Sequence, residues 1–318
     1  MIKVKVMENL RKKVSILIPC FNEEENVEPM SVAINNVFTQ DLTQYDWELI
    51  FIDNDSHDRT RAILRDICAK NPNIKAIFNA KNFGQFNSPY HGILQTTGDC
   101  VISMVCDFQD PIELIPQYLE EWEKGYKIVI GIKSQSKENK IVRLGRTIYY
   151  KMIKRFSTVE QIEHFTGSGL YDRSFIEVLR DLNDPTPFLR GIVGELGFRR
   201  KEIEYVQPKR RAGKTHNNFY SLYDAAMLSF TSYTKIAIRL ATFAGLLMCF
   251  LGGLGVIAAL ILHYGLGLGL GWWPIVIALD IFSGIQLTFT GLIGEYISTV
   301  NSKVMRRPLV VEEERINF

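Results

Sequence analysis

The sequence predicts an α/β domain on a largely parallel sheet, followed by juxtamembrane helices and two transmembrane helices. Three observations carry this. From Val14 to Glu195, short β-rich runs alternate with helical stretches, the pattern of consecutive βαβ units. Residues 240–279 contain no Asp, Glu, Lys or Arg, whereas the preceding residues have the composition of an ordinary soluble protein. Within the first of these regions, three of the strand-like runs end in polar loops, as ligand-binding sheet edges do.

In order, strands are expected at Val14–Ile18, Trp47–Ile52, Ile74–Phe78, Cys100–Val105 and Lys127–Gly131. Helices are expected at Glu24–Val37, Arg59–Lys70, Ser88–Gln95 and Ile115–Lys124, with Pro111 and Glu113 suited to the first turn of the last. Residues 1–215 form one domain. Within it, 139–156 reads as a basic amphipathic helix, either lying in a lipid headgroup layer or packed as an ordinary surface helix. A juxtamembrane helix covers 216–238.

The 23 uncharged residues 240–262 are long enough to span a hydrocarbon core of about 30 Å. A glycine-rich loop, 263–271, leads through Trp272 and Trp273 into a second span ending near Val300, within the two-helix region 239–300. Lys235, Arg239, Lys303, Arg306 and Arg307 flank the outer ends of the pair, and the connecting loop has no Lys or Arg. The positive-inside rule then places both termini, the tail 301–318 and the α/β domain in the cytoplasm. Asp280, inside the second span, is expected to serve as a subunit contact or to reach water or lipid phosphate. Gly252, Gly253, Gly284 and Gly291 would allow close helix packing in a homo-oligomer.

Composition narrows the chemistry. The net charge of +2 singles out no polyanionic partner. Five widely spaced cysteines without a CxxC pair fit neither a zinc site nor a disulfide framework. The first 13 residues lack the apolar core of a signal peptide.

Parallel strands point their carboxyl ends one way, so the loops holding Pro19, Phe21, Asn22 and Glu23, then Asp53 and Asp55, then Asp107, Gln109 and Asp110 converge on one edge. Oxygen ligands on such a loop suit a hard divalent cation that clamps phosphates. Further along, 165–172 and Leu189–Gly191 suit a turn lining a ligand, a hairpin or a helix entry. Residues 209–215 (KRRAGKT) form a cationic loop that either grips phosphate or fixes topology.

Residues 14–26 (VSILIPCFNEEEN), 52–60 (IDNDSHDRT), 82–84 (NFG) and 106–111 (CDFQDP), in that order, closely resemble the inverting family-2 glycosyltransferases of GT-A fold, whose nucleotide-sugar domain is Rossmann-like. The paired spans ending in 293–297 (IGEYI) and 306–308 (RRP) resemble those of the polyisoprenyl-phosphate members, such as dolichol-phosphate mannose synthases and bactoprenol glucosyltransferases.

The resemblance implies transfer of a hexose, glucose from UDP-glucose, to a polyisoprenyl phosphate of undecaprenyl type at the cytoplasmic face of the inner membrane. Mannose or a modified pentose is the alternative sugar, and a catalytically weak scaffold for lipid-linked sugars the alternative function. No nucleic-acid partner is implied. Pro19, Phe21, Asn22, Glu23, Asp53, Asp55, Asn82 and Gly84 would bind the nucleotide sugar. Asp107 and Asp110 would be catalytic, with Asp107 and Gln109 holding Mg²⁺ or Mn²⁺, while Arg190, Arg210, Arg211 and Lys214 would take acceptor or donor phosphate. Val105 stands where the family usually has the first Asp of Asp-Xaa-Asp, and Asn54, Asp55 and His57 depart from its Asp-Asp-Gly-Ser-Thr-Asp pattern.

Overall fold

The computed structural model describes residues 11–135, 162, 165–208, 210–212, 273–305 and 307–318, with isolated positions between 243 and 261. The amphipathic stretch 139–156, the juxtamembrane segment 216–238, the loop 263–271, Lys214, and most of 240–262 lie outside these residues. Two units divide the chain: 1–147 with 160–218 and 306–318, and 148–159 with 219–305.

The first unit is an eight-stranded mixed sheet. Its strands are β1 (Lys13–Cys20), β2 (Asp46–Asp53), β3 (Ile74–Asn79), β4 (Cys100–Ser103), β5 (Ile128–Gln135), β6 (Phe165–Asp172), β7 (Arg200–Val206) and β8 (Glu312–Ile316), in the order β7-β5-β6-β4-β1-β2-β3-β8. β4, β1, β2 and β3 run parallel, with Val14 beside Cys100 and Asp46 beside Lys13, and Leu49 beside Ile74. β6 pairs antiparallel with both β4 and β5, and β7 pairs parallel with β5.

The helices are α1 (Val27–Asn36), α2 (Thr60–Lys70), α3 (Gly84–Leu94), α4 (Leu114–Glu123), α5 (Arg173–Leu182) and α6 (Leu189–Glu195). They cover both faces, which is why the central strands read as continuous apolar runs. Strand alternation sorts the residues: Val14, Ile16, Ile18, Leu49, Phe51 and Phe78 join Met30, Leu64, Ile115 and Tyr118 on one side. Leu17, Ile50, Ile52, Ile77 and Val101 join Tyr90, Ile93, Phe175 and Ile192 on the other.

At the sheet end remote from the strand-end loops, Glu48 is buried, 1% exposed. Its carboxylate accepts from Ser15 Oγ (2.6 Å), Thr97 N (2.8 Å), and the Nζ atoms of Lys13 and Lys75 (both 2.9 Å). Burial raises this carboxyl group, but hydrogen bonds from Ser15, Lys75, Thr97 and Lys13 outweigh it and bring it down to about 2.

Three stretches differ from the sequence expectation. The glycine-rich stretch 165–172, expected as a ligand-lining turn, a hairpin or a helix entry, is the strand β6, antiparallel to β4 and β5. A Cβ at Gly169 would stand 2.4 Å from the Val129 carbonyl oxygen, so this glycine serves close strand approach rather than a turn. The helix expected from Ser88 begins at Gly84, at φ +88°. The tail, expected as a terminal extension, contributes β8, an antiparallel edge strand against β3.

In the second unit, α7 (Trp273–Val304) is a continuous 32-residue helix over the second expected span. Ile275, Leu279, Phe282, Leu287, Ile293, Ile297 and Val300 are exposed along it. Among the described residues, no helix is long and apolar enough to cross a membrane.

Candidate active site

The carboxyl ends of β4, β1, β2 and β3 bring their loops to one edge of the sheet. The loops after β1 and β2 are bonded into one surface. Asn22 N donates to Ser56 Oγ (2.8 Å), His57 N to Asn22 Oδ1 (2.8 Å), Glu23 N to Thr60 Oγ1 (2.9 Å) and Arg59 N to Glu24 Oε2 (3.0 Å). Each of the three polar loops holds one non-glycine residue at positive φ: Asn22 at 55°, Asp55 at 68° and Phe108 at 60°. Asn and Asp tolerate this region, but for Phe108 it is an outlier that its surroundings must enforce. Asn22 and Glu23, with Glu24, Glu25, Asn26 and Asp58, line a cleft of about 190 Å³.

Pro19 is the penultimate residue of β1, opposite Ile52, with half-buried Phe21 just past the strand end. Asp53, at the end of β2, is fully buried. Its Oδ2 accepts from Ser56 N (3.1 Å) and Arg61 Nε (2.9 Å), while Oδ1 has no hydrogen-bond partner among the described residues. Asn54 ties the next loop in place: its Oδ1 accepts from Phe83 N (2.9 Å) and Asn79 Nδ2 (3.1 Å), and its Nδ2 donates to Asn82 Oδ1 (2.9 Å). Asn82 Oδ1 also accepts from Gly84 N (2.9 Å). Asn82 and Gly84 thus join the same edge through Asn54, and half-buried Asp55 lies beside His57.

Asp107 lies just past β4 and is 4% exposed. Its Oδ1 accepts from Gln109 N (3.0 Å) and its Oδ2 from Arg210 Nε (2.7 Å), an ion pair across 103 positions of sequence. The Arg211 amide reaches the Asp107 carbonyl (3.4 Å), and its guanidinium lies 5.3 Å from the Phe108 ring centre. Asn26 Nδ2 meets the Ala212 carbonyl at 3.4 Å. Residues 210–212 therefore bridge the loops after β4 and β1. Arg210 Nη1 is buried without a hydrogen-bond partner among the described residues.

Asp110 is differently placed. It is 1% exposed, its Oδ2 accepts from Val105 N (3.2 Å) and its Oδ1 from Tyr205 Oη (2.6 Å). Burial first, and then the Asp110 charge, raises the Tyr205 hydroxyl, which stays a proton donor. Both Asp110 oxygens are thus occupied in holding the loop. Arg190 stands in the first turn of α6, close enough to Tyr171 to act on its hydroxyl electrostatically. Cys20 and Cys106 also reach this edge, but burial, with Asp53 acting most strongly of the charges on Cys20 and Glu23 on Cys106, pushes both thiols up and makes them poor nucleophiles.

Among the described residues, no group of three or more His, Cys, Asp or Glu is disposed to hold a metal. Asp107 and the Gln109 amide offer two oxygen donors, with Asp107 already neutralised by Arg210. This chemistry fits a magnesium or manganese ion that takes its other ligands from a diphosphate and water.

Sequence reasoning named Asn54 only as a departure from the family pattern, not as a site residue, and did not single out Asn26, Arg61 or Tyr205. Asn54 carried a signal, as the residue in the second acidic position of the 52–58 pattern. Arg61 carried a weaker one, on the helix following a strand-end Asp. Tyr205 carried none, being 95 residues from its partner.

The family model for glycosyl transferase family 2 matches residues 15–179. An uncharacterized glycosyltransferase, YkcC, of Bacillus subtilis is 30% identical over 303 residues, covering 94% of this chain and 93% of that protein. The bactoprenol glucosyl transferase of Shigella phage SfX is 30% identical over 307 residues, covering 95% and 99%. Among solved structures, mannosyl-3-phosphoglycerate synthase from Rubrobacter xylanophilus shares the fold with a TM-score of 0.51 at 15% identity, over 73% of this chain and 75% of that one. The chain belongs to glycosyl transferase family 2 and is a glycosyltransferase built on a GT-A-like nucleotide-sugar domain.

Proposed function

We propose that the chain transfers glucose from UDP-glucose, with inversion, to the phosphate of a polyisoprenyl lipid of undecaprenyl type at the cytoplasmic face of the inner membrane. The observation that carries this reading is the Asp107–Arg210 pair on the edge where the strand-end loops converge. It sets one carboxylate for a cation and one guanidinium for phosphate side by side. The name of the SfX relative supports glucose and a bactoprenol acceptor.

In the reaction, an acceptor phosphate oxygen attacks the anomeric carbon from the face opposite the nucleotide. The bond from that carbon to the diphosphate breaks, and UDP departs with the electron pair. A phosphate monoester is already anionic near neutral pH, so the site must position it and neutralise charge more than remove a proton. Asp110, held by Val105 N and Tyr205 Oη, would fix the loop that carries Asp107. Mg²⁺ or Mn²⁺, held by Asp107 and Gln109, would neutralise the departing diphosphate. Arg210 would turn its fork to the same charge, with Arg211 and Lys214 on the same segment and Arg190 at the acceptor phosphate.

The membrane assignment rests on the uncharged run 240–279 and the flanking cations. The small residues Gly284 and Gly291 on the second span would suit close helix packing in a homo-oligomer. Incubating the chain in membranes with labelled UDP-glucose, GDP-mannose and a UDP-pentose tests the reading. Label entering organic-extractable lipid from UDP-glucose alone is expected. No transfer from any donor, with lipid still bound, would favour the scaffold instead.

A further inference from the structure

β8 presents three consecutive carboxylates to the rest of the sheet, and they do different work. Glu314 takes Arg65 in a two-pronged pair (2.7 and 3.2 Å) between side chains 46% and 38% exposed. Glu312 takes His91 (2.5 Å) and its own neighbour Arg315. Both hold the strand down. Glu313 is the most exposed of the three, its side chain 59% exposed, but its Oε2 is 3.0 Å from Nη2 of the largely buried Arg61. The same nitrogen donates to the Asn79 carbonyl (2.8 Å), and Arg61 Nε donates to the buried Asp53 (2.9 Å). Asn79 in turn bonds Asn54 and Ser88 (3.1 and 2.9 Å). A guanidinium is planar, so three acceptors in different directions fix both its position and its plane.

We propose that Arg61 is a positioning residue of the donor site and that β8, through Glu313, completes it. This rests on the donor reading above, in which Asp53 meets the nucleoside. Arg61 Nε holds Oδ2 of the fully buried Asp53, and Glu313 meets the far side of that guanidinium. A merely structural edge strand would owe equal debts to Glu313 and Glu314.

The test compares full-length Glu313→Arg with full-length Glu314→Arg in detergent. Each reverses one exposed carboxylate beside one arginine of α2, and only the first stands beside the arginine that holds Asp53. Thermal midpoints, UDP and GDP affinities by calorimetry, and KM for nucleotide sugar and for lipid are measured. Both variants are expected to lose similar thermal stability. Glu313→Arg is expected to bind nucleotide about fivefold more weakly, with a matching rise in donor KM and an unchanged lipid KM, while Glu313→Gln, which keeps an acceptor, stays within about twofold of wild type. Glu314→Arg is expected to leave nucleotide affinity unchanged. Equal nucleotide affinities in the two reversed variants would overturn the inference while leaving the transferase reading standing. A wild-type chain that binds neither nucleotide would overturn both.

Discussion

Replacing Arg210 by Ala removes the charge that neutralises Asp107. The side chains are 26% and 5% exposed, so the pair is half sheltered rather than sealed. A sealed pair broken on one side costs about 3–5 kcal/mol, an exposed one about 0–1. Arg210→Ala should fall between, at about 1–3 kcal/mol, because Asp107 keeps the Gln109 amide as donor. Loss of one preorganised donor to a developing charge lowers turnover by about 10²–10³-fold. Arg210→Lys restores the charge without the fork and should recover part of the loss, chiefly in kcat. Chemical denaturation gives the first quantity, and initial rates of labelled glucose transfer into lipid give the second. Turnover near wild type in Arg210→Ala would refute the assignment of this guanidinium to the diphosphate, whatever the stability change.

Glu48 governs acid stability. Its folded value of about 2 lies below the ordinary 4.5, so its contribution is complete above about pH 4.5 and is lost as pH falls through 2. Stability of Glu48→Gln followed by denaturant titration should therefore change less over that window than wild type. Gly169→Ala would press a methyl group to 2.4 Å from the Val129 carbonyl, and should cost about 3 kcal/mol or more, read as a lowered Tm. Tyr205→Phe leaves one Asp110 oxygen unpaired and should cost about 1–3 kcal/mol with a smaller effect on turnover than Arg210→Ala.

Much of the sheet was legible because its central strands are buried on both faces and bounded by turn residues. Trp47–Ile52 and Ile74–Phe78 fall inside β2 and β3, and Val14–Ile18 inside β1. The loops after these strands were legible as well, since Asn22, Asp53 and Asp107 are short polar residues immediately following apolar runs. β6 was not, because Gly167 and Gly169 are turn residues by composition; the close approach of β5 explains Gly169, and a φ of +98° explains Gly167. β8 was hidden for another reason. Its sequence, EEERI, has no apolar alternation, and its pairing is held by Arg61 and Arg65 on α2 and His91 on α3, far away in sequence. The same distance concealed the site's internal bonding: Asp107 was visible, but its bond to Arg210 and the bond of Asp110 to Tyr205 exist only once the loop before 213 folds back.

The most direct measurement uses purified wild-type and Asp107→Ala chains in lipid bilayers, each given labelled UDP-glucose and undecaprenyl phosphate with Mg²⁺. The account predicts that wild type releases one UDP for each glucose recovered on lipid, and that Asp107→Ala, folded and inserted, forms no lipid-linked glucose. UDP released without lipid-linked glucose, or near-normal product from Asp107→Ala, would contradict it.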